Sequence, residues 1–200
     1  MVGFAGQWTI AMALLMTIPA VAGSGKTDKP KHAAEGAPVD ASQYAGSDAC
    51  KACHEESFKS FESTPHWKTT LKHGAEAQGC EACHGAGKAH IEGGGDKSKI
   101  FSFAGAEPGA ISKRCLSCHE YGEEHANFGR SQHNVNSVSC VACHSAHHAK
   151  QAQFLLLQKQ PELCYSCHTE IKQEFSRPFR HRVDQGLVQC TDCHTSTAAF

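Results

Sequence analysis

The sequence predicts a mostly α and irregular fold, with little or no β structure, whose core is not built mainly from side chains. Three observations point there. Only 40% of the 200 residues are hydrophobic and 8% are aromatic, a thin supply for a conventional core. No run alternates apolar and polar residues in the manner of a half-buried strand. All twelve cysteines fall in one repeated pattern, C-x-x-C-H.

The six copies are Cys50-Lys-Ala-Cys53-His54, Cys80-Glu-Ala-Cys83-His84, Cys115-Leu-Ser-Cys118-His119, Cys140-Val-Ala-Cys143-His144, Cys164-Tyr-Ser-Cys167-His168 and Cys190-Thr-Asp-Cys193-His194. Composition alone would place roughly 0.05 such pentapeptides in the chain, and the spacing is the haem c attachment signature. The two thiols of each copy add to the haem vinyl groups, and the histidine takes one axial position on iron. A zinc knuckle or a redox dithiol also uses C-x-x-C. Neither requires a histidine directly after every second cysteine. The motifs therefore imply six haem c groups that form the core of a multihaem cytochrome c, with about 30 residues for each haem, too few for extensive regular structure.

Residues 1–22 carry no charge, Trp8 to Ala20 is mostly apolar, and Ala20-Val21-Ala22 is an A-x-A cleavage site before Gly23. This reads as a signal peptide for export to the periplasm. An uncleaved anchor is the alternative, although the apolar run is shorter than the ~20 residues of a spanning helix. Nothing after residue 22 is apolar for long enough to cross a membrane. Residues 23–46, rich in Gly, Lys, Pro and Ala, read as a flexible leader. Residues 47–200 form the hexahaem domain, in which successive motifs start 30, 35, 25, 24 and 26 residues apart. That near-regularity describes a serial array of haem sites with short connectors.

Helices are expected where a motif is followed by apolar residues at three- and four-residue intervals. One runs from about Asp48 to Phe61, with Phe58 and Phe61 on the haem side. Another follows Pro161, places Cys164, Cys167, His168, Ile171 and Phe175 on one face, and stops at Pro178. Gly93-Gly94-Gly95 marks a loop.

The second axial ligand decides the chemistry. The three methionines, Met1, Met12 and Met16, all lie in the expected signal peptide, so methionine is not a ligand in the mature chain. Fifteen histidines less the six of the motifs (His54, His84, His119, His144, His168 and His194) leave nine. His32 lies in the leader. The other eight exceed the six needed, so bis-histidine coordination with low potentials is the simplest reading. His147 follows His144 by three residues and His90 follows His84 by six. Chains that short cannot pass round a porphyrin edge, so each serves a neighbouring haem or none. His66, His90, His125, His133, His147 and His181 are the candidate distal ligands. His32, His73 and His148 read as solvated or propionate-bonded.

The formal net charge of −1 speaks against nucleic-acid binding and against polybasic membrane binding. Twelve propionates would make the holoprotein more acidic. Two functions compete: an electron carrier without catalytic activity, and a multihaem reductase of a small oxyanion such as nitrite. A reductase needs an iron with an open position, and multihaem nitrite reductases mark it with a lysine in place of the motif histidine. All six motifs here end in histidine. A structural subunit that polymerises or plugs a barrel is a third reading.

Several stretches resemble the periplasmic decahaem electron-conduit family of metal-reducing bacteria, the MtrA and DmsE type. Residues 80–90 read CEACHGAGKAH, close to that family's CxxCHGPGxxH, with Ala86 in the place of its proline. Residues 137–147 read SVSCVACHSAH, like its SxxCxxCHxxH. LLLQKQPELCYSCH and PFRHRVDQGLVQCTDCH, which includes His181, match its later pattern. The resemblance covers roughly residues 48–194. It implies bis-histidine haems acting as a wire, with His66, His90, His125, His133, His147 and His181 at or near ligand positions. It implies redox partners: an inner-membrane quinol dehydrogenase, an outer-membrane or extracellular cytochrome, and an outer-membrane barrel. Six motifs in place of ten favour a shorter periplasmic shuttle in anaerobic or extracellular respiration.

Overall fold

The structure, a computed structural model, describes residues 40–70, 78–122 and 125–195. The expected signal peptide, most of the leader with His32, and His73 lie outside the described residues. The chain divides into two compact units, Met1–Ala37 and Pro38–Phe200, and all described residues belong to the second.

Among the described residues there is no sheet. The β-type pairing consists of isolated bridges from Leu156 to His144 and to Gln151. Short helices and 3-10 turns carry the motifs, as the sequence predicts. The helices are α1 (Ser47–Lys51), α2 (Glu55–Glu62), α3 (Pro65–Thr70), α4 (Glu81–His84), α5 (Lys88–Glu92), α6 (Pro108–His119), α7 (Gln132–Val135), α8 (Glu162–Tyr165) and α9 (Thr169–Glu174).

The motifs themselves keep most helices short. The sequence predicted one helix from Asp48 to Phe61, and the structure breaks it at His54, which sits at φ −120°, ψ 43°. The predicted helix after Pro161 breaks likewise at His168, at φ −92°, ψ 60°, and ends at Glu174 rather than running to Pro178. In both motifs the histidine N–H still donates to the first cysteine carbonyl at 2.9 Å, closing one turn. The histidine then leaves helical φ/ψ, and its ring swings out of the helix line. The exception is α6, whose 12 residues carry the third motif at the C-terminal end. Pro108 opens it at the first turn, where a missing N–H costs nothing.

The side-chain core is small. Phe58 and Phe61 of α2 are buried and meet the Trp67 ring of α3 edge-on, at 5.4 Å and 5.9 Å between ring centres. Side chains, not only a prosthetic group, therefore cover these two phenylalanines. Among the described residues, Ile111, Phe128, Tyr165 and Val183 are the other buried large hydrophobic residues, each in a separate part of the chain. α5 runs into the three-glycine turn, where Gly94 (φ 68°) and Gly95 (φ 92°) occupy left-handed backbone that a side chain would strain. No helix among the described residues is long and apolar enough to cross a membrane.

Candidate functional site

All six motifs adopt one local geometry or sit in a helix that imposes it. Outside α6, the second cysteine N–H donates to the first cysteine carbonyl at 3.2–3.3 Å, and the histidine N–H reaches the same carbonyl at 2.9–3.0 Å. One turn thus presents two thiols and an imidazole together. No disulfide joins any of the twelve cysteines.

The motifs meet one another in chain order. First cysteines pair as Cys50 with Cys80, Cys115 with Cys140 and Cys164 with Cys190. Second cysteines make the alternate approaches, Cys83 to Cys118 and Cys143 to Cys167. In the first pair, the hydrogen bond from Cys50 pulls the Cys80 thiol down to about 6. The bond from Cys115 pulls Cys140 down to about 6 in the same way. Burial, followed by the charge of Cys190, pushes Cys164 up to about 12.

Backbone and side-chain bonds hold these approaches. The Glu81 carboxylate is 2% exposed and accepts from the N–H groups of Ala45 (3.0 Å), Gly46 (2.9 Å) and Gly87 (2.7 Å). Ser47 Oγ accepts from the Cys80 N–H at 3.1 Å. A Cβ at Gly79 would lie 1.9 Å from that Oγ, so the close passage requires glycine. In the next pair, the Cys140 thiol donates to the buried Ser112 Oγ of α6 at 3.8 Å. In the last, Gln160 bonds Thr191, inside the sixth motif, at 3.1 Å and 3.3 Å.

Histidines from outside the motifs then face motif histidines. Ring centres lie 6.4 Å apart for His54 and His90 with planes at 21°, and 6.0 Å apart for His84 and His147 at 15°. They lie 5.9 Å apart for His119 and His66 at 76°, and 6.1 Å apart for His168 and His133 at 76°. Two imidazoles on opposite faces of one iron, each bound at about 2 Å through a nitrogen about 1.1 Å from its ring centre, have centres about 6.2 Å apart. The four separations fit that span.

The outer contacts fit as well. Nδ1 of His84 lies 2.9 Å from the Phe101 carbonyl, Nδ1 of His90 2.9 Å from the Asp96 carbonyl and Nδ1 of His144 2.6 Å from the Phe154 carbonyl. A carbonyl there makes Nδ1 the donor and leaves the Nε2 lone pair for a metal. The Phe154 carbonyl is aimed by a loop in which Phe154 and Leu155 hold φ of 58° and 51°, left-handed backbone that bulky residues rarely adopt. Burial lowers the proton affinity of His66, His119 and His147, which favours neutral rings. His66 Nδ1 is buried with no protein hydrogen-bond partner. Among the described residues no three His, Cys, Asp or Glu side chains converge as a metal cage. Donors gathered in facing pairs suit axial ligation, where zinc would need four converging ligands.

The doubled CXXCH motif family matches residues 133–173, which hold the fourth and fifth motifs. The multiheme cytochrome MtrA of Shewanella baltica (strain OS185) is 30% identical over 155 residues, covering 74% of this chain and 45% of that protein. The chain is a multihaem c-type cytochrome of the MtrA type. It spans less than half the length of the relative it matches.

In this cytochrome the remaining candidates sit differently. His125 lies 5.4 Å from His119 at 58°, and His144 interacts electrostatically with His66 and His119. These four histidines form one cluster. His181 is exposed on the segment before the sixth motif. His148 is exposed and touches the His147 ring at 5.8 Å. Sequence reasoning did not single out Glu81, Ser47 or Ser112, which lock neighbouring motifs together. Glu81 occupies a variable position inside C-x-x-C-H, and only its burial marks it.

Proposed function

We propose that this cytochrome binds six haem c groups, one at each motif, and passes electrons along them in the periplasm between redox partners. Each iron takes its motif histidine and one of His66, His90, His125, His133, His147 and His181. The observation that carries this reading is the set of four facing imidazole pairs at the separation of two axial ligands. Bound there, haem c supplies an iron that gains and loses single electrons.

The cysteine pairs would anchor the macrocycles covalently. With a histidine on each side, the iron would have no position open to small ligands. The chain-order approach of the six motifs supports a serial path. His125 and His181, left after the four pairs are drawn, serve His144 and His194. The inferred boundaries are a signal peptide at 1–22, a leader at 23–46 and the haem domain at 47–200. The inferred partners are an inner-membrane quinol dehydrogenase and an outer-membrane or extracellular acceptor. That assignment rests on the resemblance to MtrA-type conduits.

Carbon monoxide tests the reading. Intact mass should show six covalent haems on a chain beginning at Gly23, and the fully reduced holoprotein should bind little carbon monoxide at neutral pH. It should reduce a soluble ferric chelate rapidly and show no turnover of nitrite or hydroxylamine. Stoichiometric carbon monoxide binding at one haem, with sustained turnover of either substrate, would overturn the carrier reading in favour of a reductase.

A further inference from the structure

The four imidazole pairs fall into two classes by the angle between their planes. At His54/His90 and His84/His147 the rings are nearly parallel, at 21° and 15°. At His119/His66 and His168/His133 they are nearly perpendicular, both at 76°. Plane angle has an electronic consequence at a low-spin ferric centre. Two parallel imidazoles donate π density into the same iron d orbital and split it from its partner, which gives a rhombic spectrum. Two perpendicular imidazoles donate one into each orbital, leave the pair nearly degenerate, and give a spectrum dominated by one large g value.

At the near-parallel pairs, contacts outside the rings hold the planes. The His84 and His90 rings are pinned through Nδ1 by the carbonyls of Phe101 and Asp96. Phe61 meets the His147 ring edge-on at 6.0 Å and 89°, and Ser60 Oγ donates to the His147 carbonyl. α2, anchored in the aromatic core, thus sets the plane of a ring that faces the second motif. His66 projects from α3, at the other side of that core, toward the third motif. Candidate ligands therefore cross between motifs: His147, just after the fourth motif, faces the second, and His66, between the first and second, faces the third.

His119 has two neighbours, and His66 is the better ligand. Its 5.9 Å separation fits two axial rings more closely than the 5.4 Å of His125. His125 also follows His119 by six residues, too few to pass round a porphyrin.

We propose that His90 and His147 complete near-parallel pairs at the first and second motifs, and that His66 and His133 complete near-perpendicular pairs at the third and fifth. The holoprotein then contains two spectroscopically distinct low-spin populations, each of at least two irons. This rests on the bis-histidine reading above.

Electron paramagnetic resonance of the fully oxidised holoprotein at liquid-helium temperature tests it, paired with near-infrared magnetic circular dichroism, which reports ligand type without regard to plane angle. The expected result is a bis-histidine dichroism band, with a rhombic set and a large-g set that each integrate to two or more irons. His90→Ala should remove one iron from the rhombic set, and His133→Ala one iron from the large-g set, each turning high-spin. A bis-histidine band with a single low-spin class, or a loss from the opposite class, overturns the assignment and leaves the carrier reading intact. High-spin iron in the unsubstituted protein instead overturns the bis-histidine reading. If either variant fails to mature, the wild-type integrals alone decide.

Discussion

The first two motifs and the last two use the same pentapeptide in different surroundings. Around the first two, Phe58 and Phe61 are buried on Trp67, and Glu81 ties three backbone N–H groups across 36 residues of sequence. Around the last two, only Pro161, Tyr165 and Val183 are buried between residues 158 and 195. The long-range side-chain bonds there are Tyr165 to Asp184 at 2.9 Å and the Gln160–Thr191 pair. Where side chains bury one another, both imidazoles of a site are already held by protein. Where they do not, packing must come from the prosthetic group, and the candidate ligand His181 remains exposed.

Four substitutions break or sharpen that contrast. Phe61→Ala should have the largest effect, about 3–5 kcal/mol, because it opens a cavity against Trp67 and frees the His147 ring. Guanidinium unfolding of the holoprotein measures it, and a loss under about 1 kcal/mol would mean that the aromatic cluster does not organise this end. Glu81→Gln should cost about 2–3 kcal/mol, since an amide nitrogen then faces a buried N–H donor. A neutral result would show that Glu81 only fills space.

At the other end, Tyr165→Phe removes a single hydrogen bond and should cost about 1 kcal/mol. It also carries a pH signature. Burial, then the bond to Asp184, pushes the Tyr165 hydroxyl up to about 12 from an ordinary value of 10.0. The unfolded chain loses this proton first, so wild-type stability should fall as pH rises from 10 toward 12. The Phe variant should lack that decline; an identical alkaline profile would remove the Tyr165–Asp184 contact from the account. Smallest of all, Phe179→Ala should stay within about 0.5 kcal/mol, because the ring is 101% exposed. A loss comparable to that of Phe61→Ala would show that Phe179 packs on something the polypeptide does not supply.

Much of the site was legible in the sequence, because haem attachment is local chemistry. Two thiols and an imidazole within five residues define each centre whatever the fold, so all six motif histidines could be named at once. The count of spare histidines and the lack of methionine after Met16 made histidine the expected second ligand. The fold class was legible for a related reason, since so few apolar residues in no periodic strand pattern leave only short helices and turns.

The helix boundaries were less legible. Three- and four-residue spacing predicted continuous helices through the first and fifth motifs, yet His54 and His168 break them. A histidine that must turn its ring out of the helix line gives up helical φ/ψ, and hydrophobic periodicity carries no sign of that. Glu81 was missed because a carboxylate between two cysteines looks like a solvated residue until the chain at Ala45 and Gly46 folds over it.

The sequence by itself determined what each motif offers a haem: two thiols and an imidazole brought together by one turn. Those contacts lie within a single turn and need no distant partner. Only the tertiary structure decided which rings face one another and at what angle. His90 turns toward His54, His147 toward His84, His66 toward His119 and His133 toward His168. The partners lie 35 to 63 residues apart, and their pairing depends on how short helices pack around a small aromatic core. The angle between two imidazole planes is set by the carbonyls and ring edges around them, and these assemble only when the chain has folded.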